Sequence, residues 1–573
     1  MIVLVGFMGA GKTTVGRLLA DKLGLPFLDS DVVIEQRTGR TVRDIFAEDG
    51  EPAFRAVEHE VVADLLGGPD VVLALGGGAP EHPGTRALLR SGPSVVYLQV
   101  GYAQAMARVA GDEYRPMLHR PDLDGLYQRR LDIYGDIATL TIATDGRGPE
   151  AVGSDVVEHL VRAPRVPAGT STILVSCTGG TYNVHVGTGL LAQAGGLLPA
   201  LPYTRTAVLI VGRGSGAGRS FGAVQALADS LRTTRDLAVH VIEVPDGQGA
   251  KDLSTVGSVA GQLAELAVHK DDLIVGVGGD VVCDIAGFVA STYNRGMPLA
   301  LVPVTLGAQA DSAVGGKASL NLPQGRNLLG TVHQPVAVIA DVAVVQPGQE
   351  EYRAGLAEAV KHALISGGAL LRLLAEHADV LRDKGDPQVL ASVVTRSVQV
   401  KADIVGRDER ERGDRLHLNY GHTFGHAIEQ LGAVDGADDG AATAIGMMAA
   451  AHLARRQGRI GDDVVDLHRT LLAGLGLPVT ASLDLEKLRE AWLRDKKYRD
   501  GTRFVVLNGL GRPEAGVRAS DETLAAALHD LARGTSPPPA GSTHAARGRP
   551  ATPSGTWTWS TWTRLRRSAP SPS

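Results

Sequence analysis

The sequence predicts an α/β protein in two successive parts, the second of which continues into a mainly helical subdomain. Three observations predict it. Apolar runs of strand length alternate with amphipathic helical stretches from the first residues to about Val161, the pattern of a parallel sheet with both faces covered. The alternation restarts near Thr170, after a Pro-dotted stretch (Ala163-Pro164-Arg165-Val166-Pro167-Ala168-Gly169) that reads as a linker. From about Glu350 the chain is rich in Ala, Leu, Glu and Arg at helical spacing.

In chain order, strands are expected at 2–5, 71–75 and 95–100, and helices at 12–23, 41–49, 53–66 and 102–109. The second part gives apolar strands at 207–211, 239–244 and 273–277, with helices between them. The domain boundaries that follow are 1–162, a linker over 163–170, an α/β unit over 171–349, a helical subdomain over 350–534 and a tail over 535–573. The tail carries Pro-Pro-Pro, many Ser, Thr and Arg residues, no Asp or Glu, and Trp557, Trp559 and Trp562. Without an amphipathic period it reads as a disordered basic segment.

Composition narrows the function classes. Hydrophobic residues make up 44% and charged residues 21% of 573, values of a soluble globular chain. A formal net charge of −6 gives no global basic field for nucleic acid. Two cysteines, Cys177 and Cys283, exclude a disulfide scaffold and fit a reducing cytoplasm. No apolar run is long enough to span a bilayer, and a strand at the second residue leaves no room for a signal peptide. Small molecules are therefore the expected partners.

The first part opens on Gly6-Phe7-Met8-Gly9-Ala10-Gly11-Lys12-Thr13, which fits G-x-x-x-x-G-K-[ST] between a strand and a helix. In such a P-loop, backbone N–H groups converge on phosphate oxygens at a helix N-terminus. Gly9, Ala10, Gly11 and Thr14 would line the nucleoside triphosphate, Lys12 would reach its β/γ-phosphates, and Thr13 would ligate Mg²⁺. Asp29-Ser30-Asp31 follows the strand-like Pro26-Phe27-Leu28. Beyond a strand's carboxyl end, two carboxylates can hold Mg²⁺ through water and act on a substrate hydroxyl. Gly76-Gly77-Gly78 follows another strand and permits close ligand approach. Arg55 can clamp a carboxylate bidentately. Arg115 sits among polar residues suited to a lid, where an added cation serves phosphoryl transfer.

These residues together resemble shikimate kinase over about 1–160, through GFMGAGKTT, FLDSD, IEQRTGRTVRDIF, FRAVE, LGGGA, YRPML and the Arg130/Tyr134 pair. The resemblance implies that Asp31 contacts the shikimate hydroxyls and Asp29 supports Mg²⁺ through water. It implies that Arg55, Gly76, Gly77, Gly78 and Arg130 hold the substrate acid, with Arg115 on the lid and Arg108 beside adenine. The competing class is another small-metabolite P-loop kinase, acting on gluconate or a nucleotide.

The second part has its own constellation. Gly278-Gly279-Asp280, with Asp284 after it, follows an apolar strand and looks like a Rossmann-like dinucleotide turn. Asp311 and Lys317 flank a glycine-containing turn, and Arg326-Asn327 adds a cation. Glu358 and Lys361 share a helix face. His422 and His426 stand at i, i+4, and with Glu358 form a plausible 2-His/carboxylate metal set. Arg295, Lys317, Arg326, Lys361, Lys401, Arg415 and Lys496 lie among Gly and apolar residues, which suggests a ligand with several negative charges.

These stretches resemble 3-dehydroquinate synthase over about 170–530, through DIAGFVASTYNRG, ADSAVGGK, GRNLLG, AGLAEAVK, VKAD, LNYGHTFGHAIE, AIGM and DKK. The resemblance implies NAD and a divalent metal, zinc or cobalt. It implies conversion of a phosphorylated seven-carbon keto acid to 3-dehydroquinate with loss of phosphate. It assigns Lys251, Gly278, Gly279, Asp280, Asp284, Thr305, Lys317 and Arg326 to NAD. Arg295, Asp311, Lys317, Asn327, Lys361, Lys401, Arg415, Asn419, His426 and Lys496 go to the substrate. Glu358, His422 and Asp439 go to the metal. A homodimer through the C-terminal region is a further expectation.

Several positions depart from that family's pattern. Its third metal ligand, a His before Gly, is Asp439 here, a carboxylate that leaves the metal a weaker Lewis acid. Its third turn glycine is Asp280. A carboxylate about 4 Å from a pyrophosphate costs roughly 1 kcal/mol in water and about 4 at an effective dielectric of 20. Its next glycine is Cys283, its phosphate-side lysine is Arg326, and its glutamate near Lys251 is Gln248. Two readings follow for this half: an active synthase with altered cofactor affinities, or a repurposed or inactive cyclase-like partner of the kinase. The whole then reads as a fusion of two non-consecutive shikimate-pathway enzymes, needing ATP with Mg²⁺, NAD and a divalent metal.

Overall fold

The structure, a computed structural model, describes residues 1–91, 94–109, 122–161, 167, 169–213, 217–432, 439–493 and 501–534. Arg115, Lys496, most of the expected linker and the tail from 535 lie outside the described residues, as does the side chain of Asp439. The chain divides into two compact units, Met1–Val345 with Pro387–Arg410, and Gln346–Asp386 with Glu411–Ser573.

The first unit is built on one mixed sheet of 12 strands. In chain order these are β1 (Ile2–Val5), β2 (Phe27–Asp29), β3 (Val72–Ala74), β4 (Ser94–Gln99), β5 (Leu140–Ala143), β6 (Ser171–Cys177), β7 (Gly180–Gly187), β8 (Thr206–Gly212), β9 (Ala238–Val244), β10 (Leu273–Gly278) and β11 (Leu299–Pro303). A separate hairpin, β12 (Lys317–Leu322) and β13 (Gly325–Val332), precedes the last sheet strand, β14 (Ala337–Asp341). The sheet order is β2-β3-β1-β4-β5-β6-β7-β14-β11-β10-β8-β9, with every pair parallel except β6–β7. β1 and β10 are buried at every residue, as strands covered on both faces require.

Strand order assembles the motifs. The D-S-D, glycine-triplet and P-loop segments each leave the carboxyl end of β2, β3 or β1, and those strands are neighbours. In the other half, β10 returns beside β8 while β9 lies on the far side, so the Gly278-Gly279-Asp280 turn leaves a strand at a topological switch point.

Two features differ from the sequence reading. The expected linker separates two sheets on paper, but β5 pairs with β6 through Leu140↔Thr172 and Thr141↔Ile173, making one sheet. The physical reason is edge closure: each strand's unpaired N–H and C=O groups are satisfied by the other's. In addition, residues 387–410, grouped by helical spacing with everything after 350, belong to the first unit. Their helix packs on β6 and on the short π-helical turn Ala308–Ser312.

Helices used below are α1 (Lys12–Leu23), α2 (Ser30–Thr38), α3 (Gly50–Leu66), α4 (Tyr102–Val109), α5 (Leu123–Ile137), α6 (Asp280–Thr292), α7 (Glu350–Ser366), α8 (Pro387–Arg407), α9 (His422–Leu431), α10 (Asp439–Arg456) and α11 (Asp462–Gly474). The second unit is mainly helical, with one hairpin, β15 (Phe504–Leu507) and β16 (Pro513–Val517). In its α10, Ala444 to Ala451 is buried almost throughout, as a central helix demands. Among the described residues no helix is long and apolar enough to cross a membrane.

Candidate active sites

At the first site, Gly11 caps α1 in the left-handed region (φ 89). Gly9 (φ 76) presses on α4 so closely that a Cβ would lie 2.7 Å from the Ala105 carbonyl oxygen. Lys12 Nζ donates to the Gly6 carbonyl at 2.8 Å and the Phe7 carbonyl at 3.2 Å. Thr13 Oγ1 donates to Asp29 Oδ2 at 3.0 Å, while Asp29 Oδ1 caps α2 by accepting from the Asp31 amide. This hydroxyl–carboxylate pair beside the phosphate loop fits a hydrated Mg²⁺. Arg108 Nη1 reaches the Gly9 carbonyl at 3.1 Å, and its Nη2 reaches that of Thr144 at 2.7 Å.

Asp31, Glu58 and Gly76 converge: a Cβ on Gly76 would sit 2.6 Å from both Asp31 Oδ1 and Glu58 Oε1. Burial, and next to it the charge of Asp29, raises the Asp31 carboxyl above its ordinary range. Arg55 Nη1 donates to Glu58 Oε2 at 2.6 Å. Glu81 then lies between two guanidinium groups, with Arg130 Nε at 3.2 Å and Arg55 Nη2 at 3.7 Å. The pair already grips one carboxylate, which demonstrates its geometry for another. Tyr134 donates to the Gly77 carbonyl at 2.5 Å, and Gly78 abuts the Arg55 guanidinium.

Glu58 and Glu81 are charged neighbours of Arg55 and Arg130 that no sequence motif assigns. Glu58 was visible only as a helix companion of Arg55, and Glu81 carries no motif. Burial outweighs the Arg55 charge and pushes the Glu58 carboxyl to about 7. A carboxyl raised on folding contributes stability that is full below its unfolded value near 4.5 and gone above about 7. Glu58→Gln is therefore expected to abolish the part of the kinase region's pH-dependent stability lost between pH 4.5 and 7, read by pulse proteolysis across that window.

In the second half, Gly278 packs on Val282, where a Cβ would meet the valine Cβ at 2.5 Å. A Cβ on Gly279 would lie 3.3 Å from Thr305 Cγ2. This close packing suits a dinucleotide turn. Asp280, however, is exposed at the first residue of α6, with Gln248 Nε2 at 3.5 Å from its Oδ2. It offers a carboxylate to the helix N-terminus that a phosphate would otherwise use. The Cys283 thiol is pushed up by burial and is chemically quiet.

Lys251, 4% exposed, forms an ion pair with Asp284 and donates to Asn327 Oδ1 at 2.6 Å. Ser319 Oγ joins them, donating to Asn327 Oδ1 at 2.9 Å. Residues that the resemblance divides between cofactor and substrate thus form one network, and Ser319 is a member that no motif announced. Lys401 Nζ donates to the Asp311 carbonyl at 2.6 Å and pairs with the Asp311 carboxylate. Asp311 lies on a π-helical turn, a local distortion common at functional sites. Lys317 opens β12, Arg326 is exposed on β13, and Arg295 is exposed after α6.

In the second unit, His422 Nδ1 lies 3.1 Å from the Leu418 carbonyl and must donate to it. That fixes the tautomer, so the neutral ring turns its Nε2 lone pair to Glu358 Oε1, 3.2 Å away. Two acceptors face to face need a shared cation, a proton or a metal, and this donor set fits a borderline divalent ion. Lys361, 1% exposed, pairs with Glu358. His426 stacks on His422 at 5.4 Å between ring centroids. Asn419 Nδ2 donates to Glu411 Oε1 at 2.8 Å, and Arg415 is buried in the same turn. Asp439 begins α10. Among the described residues no group of three potential ligands assembles.

Residues 8–161 match the family model of shikimate kinase. Residues 241–353 match the N-terminal part of 3-dehydroquinate synthase and 355–498 its C-terminal part. The 3-dehydroquinate synthase of Nocardia farcinica is 40% identical over 316 residues, 55% of this chain and 83% of that one. A crystal structure of 2-deoxy-scyllo-inosose synthase, complexed with carbaglucose-6-phosphate, NAD⁺ and Co²⁺, is 25% identical with a TM-score of 0.57, covering 63% of this chain and 100% of that chain. A 2-epi-5-epi-valiolone synthase from Streptomyces hygroscopicus, with NAD⁺ and Zn²⁺ bound, is 27% identical with a TM-score of 0.54, covering 62% and 97%.

Proposed function

Because this chain belongs to the shikimate kinase family over residues 8–161 and to the 3-dehydroquinate synthase family over residues 241–498, we propose how its two sites divide the work of a bifunctional shikimate-pathway enzyme. The first phosphorylates shikimate with ATP and Mg²⁺. Arg55 and Arg130 clamp the ring's carboxylate, and the observation that carries this reading is their joint hold on Glu81. Asp31 orients a ring hydroxyl and accepts its proton at a carboxylate oxygen. Lys12 exchanges the loop carbonyls for phosphate oxygens, and Arg115 joins from the lid. Equal turnover of gluconate, or of a nucleoside monophosphate, would overturn the assignment; ADP release with shikimate alone supports it.

The second site cyclises the phosphorylated heptulosonate to 3-dehydroquinate. NAD would rest against Gly278, Gly279 and Thr305, and when bound it accepts a hydride and so acidifies a neighbouring C–H. Glu358 and His422, with Asp439, would hold the divalent metal, zinc or cobalt, which polarises reacting oxygens. Lys361, Lys401, Arg415, Asn327, Arg295, Lys496 and His426 would contact the substrate and fix its carboxylate and phosphate. Asp280 favours weak NAD binding. Asp280→Gly is expected to tighten NAD by one to three decades, given a repulsion of roughly 1–4 kcal/mol, read as Kd by calorimetry; an unchanged Kd removes Asp280 from the cofactor site.

Asp280 beside Gln248, together with the two cyclase relatives of other product class, also supports a second reading, a repurposed sugar-phosphate cyclase. Phosphate release from the heptulosonate, compared with glucose 6-phosphate, separates the two.

A further inference from the structure

α8 stands between the two catalytic halves of the first unit and touches machinery on both sides. On one side, Gln99, the last residue of β4, donates from Nε2 to Asp403 Oδ2 at 3.0 Å. Gln399 Nε2 donates to Asp403 Oδ1 at 2.9 Å and to Gln99 Oε1 at 3.1 Å, closing a triangle of three side chains. One turn earlier, Arg396 lies 3.7 Å from Asp136, near the end of the α5 that carries Arg130. On the other side, Lys401 grips Asp311 through both its carbonyl and its carboxylate. Lys401 and Asp403 are two positions apart, so they leave opposite faces of the helix. The helix is clamped from both directions.

A partly buried carboxylate at a domain seam is costly unless its lone pairs are met, and burial pushes the Asp403 carboxyl up to about 6. The two glutamine amides meet them, one from α8 itself and one from the kinase half. β5–β6 pairing fixes the strand side of the same seam. The helix that presents Lys401 therefore rests on a residue more than 300 positions away, in the other enzyme.

We propose that Gln99, acting through Asp403, is a positioning residue for the synthase: the kinase half sets the register of α8 and so the placement of the Lys401 ammonium toward its anionic substrate. The proposal rests on Lys401 being a substrate contact.

The test is steady-state kinetics of the full chain with the phosphorylated heptulosonate. Gln99→Leu removes both amide contacts and is expected to raise the synthase KM about tenfold while kcat stays within about twofold. Asp403→Asn keeps an acceptor for one glutamine amide and sets a donor against the other, so it breaks one side of the triangle and is expected to raise KM by about threefold, between the parent and Gln99→Leu. Asp403→Leu is expected to behave as Gln99→Leu. If Gln99→Leu does not yield folded protein, Gln399→Ala removes two sides of the triangle, leaves the Gln99–Asp403 contact, and carries the same expectation in weaker form. Kinase turnover in each variant reports that the first half remains folded. A general loss of stability would lower kcat and kinase activity together and leave no KM split, and that outcome overturns the proposal. Lys401→Ala separates the two claims. A raised KM in Lys401→Ala with none in Gln99→Leu overturns the positioning role alone; an unchanged KM in Lys401→Ala overturns the substrate contact and the positioning role with it.

Discussion

Lys12→Ala is expected to lower kinase turnover by on the order of 10³-fold while dehydroquinate formation proceeds unchanged. The ammonium lies 2.8 Å from the Gly6 carbonyl and 3.2 Å from that of Phe7, inside the loop it serves. Phosphoryl transfer offers a protein little covalent chemistry, so neutralising charge on the transferring group carries most of the rate. Removing the one loop cation strikes that contribution while the glycine geometry and the Thr13–Asp29 pair remain. Lys12→Arg keeps the charge but not the compact point donor, and it should recover only a small part of the rate. A coupled assay for ADP beside an assay for 3-dehydroquinate, both on the full chain, decides the matter. A Lys12→Ala protein with parental kinase turnover would remove the loop from catalysis.

His422→Ala is expected to do the reverse. Synthase turnover should fall by on the order of 10³-fold and bound zinc should fall with it, while ATP-dependent phosphorylation of shikimate persists. The reason lies in the face-to-face acceptors: the Leu418 carbonyl fixes the His422 tautomer, and Glu358 Oε1 stands 3.2 Å from the remaining nitrogen. Without imidazole, only the two carboxylates of the proposed ligand set, Glu358 and Asp439, remain, and carboxylates alone hold a borderline ion less well. Glu358→Gln is a less clean probe, because it also removes the carboxylate charge that pairs with the buried Lys361 ammonium. Metal removal provides the matching experiment. After EDTA dialysis, excess Mg²⁺ should restore the kinase alone, and zinc or cobalt should then restore the synthase. Metal content by mass spectrometry, read beside both activities, checks the outcome.

Much of each site was legible because its chemistry is written in short, local patterns. The P-loop needs eight consecutive residues between one strand and one helix, and β1 and α1 appear where the sequence places them, at 2–5 and 12–23. The i, i+4 spacing of His422 and His426 fixes one helix face, and the rings stack there. Asp29 ends a three-residue strand at 27–29, one residue later than the expected 26–28, and Asp31 follows in the helix that Asp29 caps. Glu81 was not legible. Its only distinction is that Arg55 and Arg130, from helices far apart in sequence, meet on it. Ser319 was equally silent, since a serine in a hairpin has no signature until Asp284 and Asn327 are brought beside it.

The reactive groups and the local backbone that presents them are written along the chain: the glycine cradle and its lysine, the D-S-D carboxylates and the histidine pair. Those are properties of a few neighbouring residues, set by turn geometry and helical period. The folded arrangement alone reveals that the proline-rich stretch does not divide two sheets, that residues 387–410 return to the first unit, and that Gln99 of one enzyme meets Asp403 of the other. Those contacts depend on which strand edges close against one another and which buried polar atoms find partners. Such choices are made between segments hundreds of residues apart, and no local period records them.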